Sequence, residues 1–199
     1  GFELKISWEG HITHEFNYSL KFILGDNKTT IVKYNNPTGY LGSWYKGQVY
    51  GDIWGYETVG FFQAGETVDD HADQNAIYNR WQAGDIKYKD LNEDGKIDWG
   101  DNTLENHGDL KIIGNDQPRY HFGFLSGMDY KGFDLKVFFQ SVGKRDFMFP
   151  SGTTGNIFWG LGGKSGFNKQ FFGVPQQDYW TPEGADHGGG PDAYFPRPY

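Results

Sequence analysis

The sequence predicts an all-β fold, and three observations lead to that prediction. Aromatic residues make up 19% of the 199 residues, and Phe, Tyr and Trp fit the pleated surface of a sheet. The 30 glycines favour turns over helices. Apolar and polar residues alternate with period two in four stretches, which is the pattern of strands with one apolar face.

Residues 1–25 are predicted to form the first hairpin. Its two strands are joined by a short connection at residues 9–15. The apolar positions of these strands are Phe2, Leu4, Ile6 and Trp8, then Phe16, Tyr18, Leu20, Phe22 and Leu24. Because polar residues fill the positions between them, each strand has one apolar and one polar face.

Residues 119–144 are predicted to form a second hairpin around a two-residue turn at Lys131 and Gly132. One face carries Tyr120, Phe122, Phe124, Met128 and Tyr130 on the first strand, and Phe133, Leu135, Val137 and Phe139 on the second. Asp134, Lys136 and Gln140 occupy the opposite face of the second strand. We therefore expect these three side chains to face away from the aromatic surface.

The connections alternate between short and long. Residues 26–118 separate the two hairpins, and residues 145–199 follow the second, so both exceed the ~12–15 residues usual for a structureless loop. Long strands with one aromatic face, short turns at one end and long loops at the other are typical of a fragment of a transmembrane antiparallel β-barrel with long extracellular loops. The same alternation is also found in a soluble sandwich, so the pattern leaves both folds open.

Residues 90–101 carry the spacing of a calcium-binding loop. Oxygen-bearing side chains recur at alternate positions, a glycine permits the sharp turn, and a main-chain carbonyl follows it. The predicted ligands are Asp90, Asn92, Asp94, Lys96 through its carbonyl, Asp98 and Asp101, with Gly95 at the turn. The flanking residues lack a helical apolar stripe, so the prediction is a calcium loop outside an EF-hand, and an ordinary acidic turn is the alternative.

Composition and motifs exclude several kinds of function. The chain has no cysteine, which removes thiol catalysis and thiolate metal sites. A formal net charge of -8 with scattered Lys and Arg disfavours nucleic acid as a partner. Residues 160–165 resemble a phosphate loop, but Phe158 replaces the first glycine of that motif. His11 and His14 lie in a predicted turn, where two histidines are more often surface residues than metal ligands. No catalytic motif is found in the sequence, and we expect no enzymatic activity.

Tryptophans in the long connections are candidates for contacts with a ligand. Trp44, Trp54, Trp81 and Trp159 are the possible ligand-contacting residues. Their rings suit stacking on a sugar, and they equally suit the internal packing of long loops. We expect packing for most of them.

Three runs of the sequence resemble one family. They are GDIKYKDLNEDGKID from Gly84, IIGNDQPRYHFGF from Ile112, and MDYKGFDLKVFFQSVGKRD from Met128. Together with the late segment DYWTPEGADHGGGPDAYFPRPY, they resemble the SusC/RagA family of TonB-linked outer-membrane transporters. Two stretches depart from the family pattern, namely residues 103–111, which lengthen a connection, and the turn at residues 11–14.

The resemblance implies a large barrel in the outer membrane, of which this chain holds a few strands. A plug domain and a TonB-contacting segment are expected before residue 1, and closing strands after residue 199. It also implies a SusD-like surface lipoprotein as partner, and import of oligosaccharides or peptides. The alternative is a soluble, secreted, calcium-stabilised β-sandwich that binds carbohydrate, and an adhesive surface domain is a further rival.

Overall fold

The computed structural model of the protein describes residues 1–66, 68–148, 178–186 and 188–197. Its strands are β1 (Phe2–Thr13), β2 (Phe16–Asp26), β3 (Asp52–Tyr56), β4 (Thr58–Phe61), β5 (Ile86–Tyr88), β6 (Leu110–Asn115), β7 (Arg119–Tyr130) and β8 (Phe133–Lys144). A short 3-10 helix spans Val68–Asp70. The prediction of an all-β fold is confirmed. Among the described residues, no helix has the length and apolar character needed to cross a membrane.

Four long strands form one antiparallel sheet in the order β1-β2-β7-β8. The two hairpins are joined by pairing between β2 and β7, which places Phe22 opposite Phe124 and Asn17 opposite Asp129. Phe124 in turn lies opposite Phe139 of β8. Directly opposed positions point to the same side of a sheet, so these aromatic rings share one face.

The apolar face of this sheet is exposed. Trp8 and Phe139 each expose 64% of their surface, and Phe133 exposes 81%. Phe2, Ile6, Leu135 and Met128 are exposed on the same face. A soluble monomer rarely leaves an apolar surface of this extent open to water. The face therefore requires lipid or another apolar layer.

The opposite face of the sheet is mainly polar. The register pairs Lys136 with Gly127 and Gln140 with Gly123, on the side away from Val137 and Phe139. This is the arrangement expected from the alternation in β8. Phe138 also lies on the polar face and is exposed, which the period-two prediction did not single out.

The turn of the first hairpin is shorter than predicted. Residues 9–13 were expected to belong to the connection, but β1 continues to Thr13 and β2 begins at Phe16. Glu9 pairs with Ser19 and His11 with Asn17, with a bulge between His11 and Thr13. Pairing along the whole strand satisfies backbone groups that a loop would leave to water, and this outweighs the weak alternation at Gly10.

The second hairpin turns at Lys131 and Gly132, as the sequence predicts. Their φ angles are 50° and 83°. A two-residue hairpin turn with positive φ at both positions follows the right-handed twist of the strands, and glycine tolerates that conformation without strain.

The chain divides into two compact units. The first unit contains residues 1–35, 44–53 and 114–147 and includes the four-stranded sheet. The second contains the described residues within 36–43, 54–113 and 148–199. The predicted connection 26–118 therefore contributes to both units. Within it, β3 pairs with β6, and β4 pairs with β5.

The second unit has a small core of its own. Phe62 and Ile97 are fully buried, and so is Gln74 at 1% exposure. The Gln74 side chain donates from Nε2 to the Ile86 carbonyl at 3.0 Å and accepts from the Tyr88 N–H at 3.2 Å. A buried amide with both ends paired fixes the position of β5 without leaving a polar group unsatisfied.

Candidate functional site

The predicted calcium loop folds as a chain of turns held by its own side chains. Asp90 accepts N–H bonds from Glu93 at 2.7 Å and from Gly95 at 2.8 Å. Asn92 Oδ1 accepts from the Asp94 N–H at 3.1 Å, and Asp94 Oδ1 from the Lys96 N–H at 2.8 Å. These bonds arise because short polar side chains reach backbone groups two to five residues ahead. These bonds define the path of the loop backbone.

Two backbone conformations make this loop possible. Glu93 has a φ of 61° and Gly95 a φ of 81°, so the chain enters the left-handed region twice within three residues. Gly95 carries this conformation easily, whereas Glu93 is held there by its bond to Asp90. The sequence signal of a glycine at the sixth position thus has a visible structural reason.

The buried carboxylate of Asp109, which the sequence analysis did not identify, accepts hydrogen bonds from the backbone of the loop. Asp109 is 1% exposed and accepts the N–H of Leu91 at 2.6 Å and the N–H of Asp98 at 2.9 Å. The Asp109 N–H donates to the Asp98 carbonyl at 2.9 Å. The segment 103–111, which departs from the family pattern, therefore folds back onto the loop. Sequence reasoning had no signal for this contact, because Asp109 lies outside the loop spacing.

The last predicted ligand is tied to the same segment. Asp101 Oδ2 accepts from the Asn106 side-chain amide at 2.9 Å. Asp98 Oδ1 accepts from the Gly100 N–H at 2.7 Å. In the described part of the chain, no group of three or more His, Asp or Glu side chains is arranged to hold a metal ion. Carboxylates have further lone pairs beyond these bonds, so the all-oxygen donor set suits calcium, and the site stays a prediction.

The predicted aromatic residues lie in different surroundings. Trp81 packs among other rings, 5.5 Å from Tyr78, 6.3 Å from Tyr88 and 6.4 Å from Phe62 between centroids. Trp54 lies 5.4 Å from the His107 ring. Trp159 falls outside the described residues. Trp81 and Trp54 therefore each pack against other rings of the second unit.

Trp44 lies at the surface with two tyrosines. Its ring centroid is 5.6 Å from that of Tyr34 and 6.0 Å from that of Tyr50. The exposed fractions are 49% for Trp44, 47% for Tyr34 and 42% for Tyr50. We call these three residues the aromatic cluster. Tyr34 and Tyr50 were not among the predicted contact residues.

Three buried polar atoms lack a hydrogen-bond partner among the described residues: Tyr56 Oη, Trp81 Nε1 and His107 Nδ1. Burial, followed by the negative charges of Asp98 and Asp109, raises the pKa of Tyr56 from 10.0 to about 12. Burial also raises the pKa of Tyr88. The Tyr56 hydroxyl therefore lies near the carboxylates of Asp98 and Asp109.

The remaining motifs lie in the first unit or outside the described residues. His11 belongs to β1 and lines a depression of about 410 Å³ on the polar face of the sheet with Asp129 and Lys136. His14 lies in the turn between β1 and β2. The run at residues 160–165 lies outside the described residues.

Comparison with known proteins gives one relevant similarity. No protein-family model matches the chain. The chain is similar to TonB-dependent receptor P3 of Formosa agariphila, with 28% identity over 157 residues. The match covers 72% of this chain and 15% of that receptor. The chain thus corresponds in length to a small part of a much longer receptor.

Proposed function

We propose that this chain is part of a TonB-dependent outer-membrane transporter of the SusC/RagA type, in which β1, β2, β7 and β8 are neighbouring strands of the barrel wall. The observation that carries this proposal is the four-stranded sheet with an exposed apolar face and a polar opposite face. Lipid covers the apolar face of such a wall, and the polar face lines the lumen. Similarity to a TonB-dependent receptor supports a TonB-dependent transporter, and the SusC/RagA type rests on the resemblance of the sequence motifs.

In this proposal the transporter imports oligosaccharides or peptides together with a SusD-like surface lipoprotein, and its long loops are extracellular. TonB supplies the energy through a part of the receptor outside this chain. The soluble sandwich is not favoured, because a sandwich would cover the apolar strand faces with a second sheet. Co-purification of the tagged full-length protein with a surface lipoprotein from detergent extracts of native membranes tests the partnership. If no lipoprotein co-purifies, the result would argue against the partnership.

Placement of one charge on each face tests the barrel wall. Val137 lies on the apolar face and Gln140 on the polar face of β8. Val137→Arg in the full-length protein is expected to impair assembly, at a cost of roughly 2–4 kcal/mol near the bilayer midplane. Gln140→Arg, which introduces the same charged residue on the other face, is expected to assemble normally.

The measurement is the heat-modifiable migration of the receptor extracted from outer membranes. Equal assembly of the two variants, or a full-length protein that remains soluble without detergent, would contradict the proposal. A soluble result would restore the sandwich as the better interpretation.

We further propose that residues 90–101 bind calcium and brace the loop region. The support is the ligand spacing and the turns formed by Asp90, Asn92 and Asp94. Extracellular calcium sites work at roughly 10⁻⁴–10⁻³ M. Calorimetry should detect calcium binding by the full-length protein and its loss in Asp94→Ala. Glu93→Ala is the matched control because Glu93 is not a predicted ligand, and equal binding by all three proteins would refute the assignment.

A further inference from the structure

A polar recess in the first unit lies beside the aromatic cluster. It has a volume of about 160 Å³ and is lined by Tyr50, a member of that cluster. Pockets that enclose a whole drug-sized ligand span roughly 300–1,000 Å³. The recess is therefore large enough for a substituent of a ligand, while the rest of that ligand would lie outside it.

The charge of the recess is opposite to that of the chain. Lys28, Arg119 and His121 line it, and none of its described lining residues is Asp or Glu. The chain as a whole has a formal net charge of -8. Arg119 is already paired with the Asp26 carboxylate, through Nε at 2.5 Å and through a second, shorter contact. Lys28 is therefore the main uncompensated charge, and an anionic group is the ligand chemistry that it would attract.

Amide groups give the recess further hydrogen-bonding capacity. Asn27, Asn115 and Gln117 also line it. Asn115 Nδ2 donates to the Tyr50 carbonyl at 3.1 Å and to Asp52 Oδ1 at 2.9 Å, which ties the recess wall to the segment that carries the aromatic cluster. A ligand thus meets a wall that is already positioned, and it loses little free energy in ordering that wall.

The backbone between the recess and the cluster is also fixed. Gly51 has a φ of 88°, and a Cβ there would contact Asp116 and Gln117. The Asp116 N–H donates to the Gly51 carbonyl at 2.9 Å, and the Tyr50 N–H to the Thr29 carbonyl at 2.9 Å. Tyr50 therefore lines the recess and also contacts Trp44.

We propose that the recess and the aromatic cluster form one binding site for an acidic saccharide, with a carboxylate of the sugar beside Lys28 and a sugar ring stacked on Trp44. Half-exposed aromatic rings suit the apolar faces of sugar rings, and the amides suit hydroxyl groups. This inference rests on the proposed transporter function, which supplies a saccharide as the ligand. It adds that the saccharide is negatively charged, and it names the residues that bind it.

The test is calorimetric titration of the full-length protein in detergent with oligogalacturonide and, separately, with malto-oligosaccharide of equal length. Oligogalacturonide is expected to bind more tightly by at least about tenfold, and its affinity should fall as salt is raised, because screening weakens the charge contact. Equal affinity for the two sugars, or no dependence on salt, would overturn the assignment of an acidic ligand.

Variants locate the site. Lys28→Ala and Trp44→Ala are each expected to weaken oligogalacturonide binding about tenfold or more, whereas Lys33→Ala, which removes an exposed charge outside the recess, should leave it unchanged. Unchanged binding in both Lys28→Ala and Trp44→Ala would overturn the proposal.

A second measurement separates this site from a membrane anchor. Quenching of tryptophan fluorescence by brominated lipid is compared between the full-length protein and its Trp44→Phe variant. The difference between the two proteins gives the quenching of Trp44. Strong quenching at Trp44 without any response to sugar would overturn the site, since the aromatic cluster would then lie at the lipid interface. The proposed transporter function fails separately, if the full-length protein does not assemble in the outer membrane.

Discussion

The buried hydroxyl of Tyr56 lies in the second unit near two carboxylates at the predicted calcium loop. Its hydroxyl is buried without a hydrogen-bond partner among the described residues, and Asp98 and Asp109 lie near enough to disfavour ionisation. A hydroxyl in this setting is kept neutral by its surroundings and donates no bond that the fold depends on.

The raised pKa of Tyr56 gives a prediction with a definite sign. Because the pKa of the folded state is about 12 and the unfolded value is 10.0, the stability contributed by the neutral hydroxyl is complete below pH 10 and is lost between pH 10 and pH 12. The full-length protein should therefore lose stability more steeply over this range than its Tyr56→Phe variant, as measured by thermal unfolding. Tyr194→Phe, at an exposed tyrosine, is the control. Parallel pH profiles for all three proteins would contradict the prediction.

Among the elements, the β7–β8 hairpin has a strand register that depends on its two-residue turn. Gly132 at a φ of 83° and Lys131 at 50° keep β7 and β8 in register, so that Tyr130 lies opposite Phe133. A one-residue slip would move every aromatic side chain of β8 to the polar face.

Substitution at this turn tests that dependence. Gly132→Val should destabilise the hairpin by roughly 1–2 kcal/mol, since a β-branched residue resists positive φ. Lys131→Asn should be neutral or stabilising, because asparagine tolerates that conformation. The yield of assembled receptor in the outer membrane measures both. A larger loss in Lys131→Asn than in Gly132→Val would show that the turn conformation is not the determining factor.

The long strands could be predicted from sequence because their alternation is local. Val137 and Lys136 were assigned to opposite faces, and the register confirms it. The pairing of β2 with β7 could not be predicted in the same way, since nothing near Phe22 marks Phe124 as its partner. For the same reason, spacing identified Asp90 to Asp101 as one loop but gave no indication of Asp109 beneath it. Contacts between distant residues depend on packing, which a single sequence does not display.

At the scale of the whole chain, ion pairs join residues that are far apart in sequence. Asp85 is 2% exposed and its Oδ1 accepts from Arg197 Nε at 2.8 Å, 112 positions away. The Arg197 N–H also donates to the Gly84 carbonyl at 3.0 Å. The late segment is thereby fixed to the Gly84 turn within the second unit.

Removal of one partner should expose this dependence. Arg197→Ala leaves a buried carboxylate without its counter-charge, which is expected to cost about 3–5 kcal/mol. Lys144→Ala breaks a 3.8 Å pair with Asp146 in which both side chains are well exposed, and should cost about 0–1 kcal/mol. Thermal unfolding and the rate of limited proteolysis near residue 178 measure the difference. Equal stability of the two variants would mean that the Asp85 carboxylate is neutralised in another way.

The pairing of β2 with β7 also sets an order of events during folding. Each hairpin contains residues that are close in the chain, so β1 with β2, and β7 with β8, can form from local segments alone. Asn17 and Asp129, whose side chains bond across the β2–β7 pair, are separated by 112 positions. Because the entropic cost of closing a loop rises with its length, that pair should form last, and earlier compaction of the intervening residues would shorten the loop to be closed. Until then the facing edges of β2 and β7 are both unpaired, which leaves both hairpins open to mispairing.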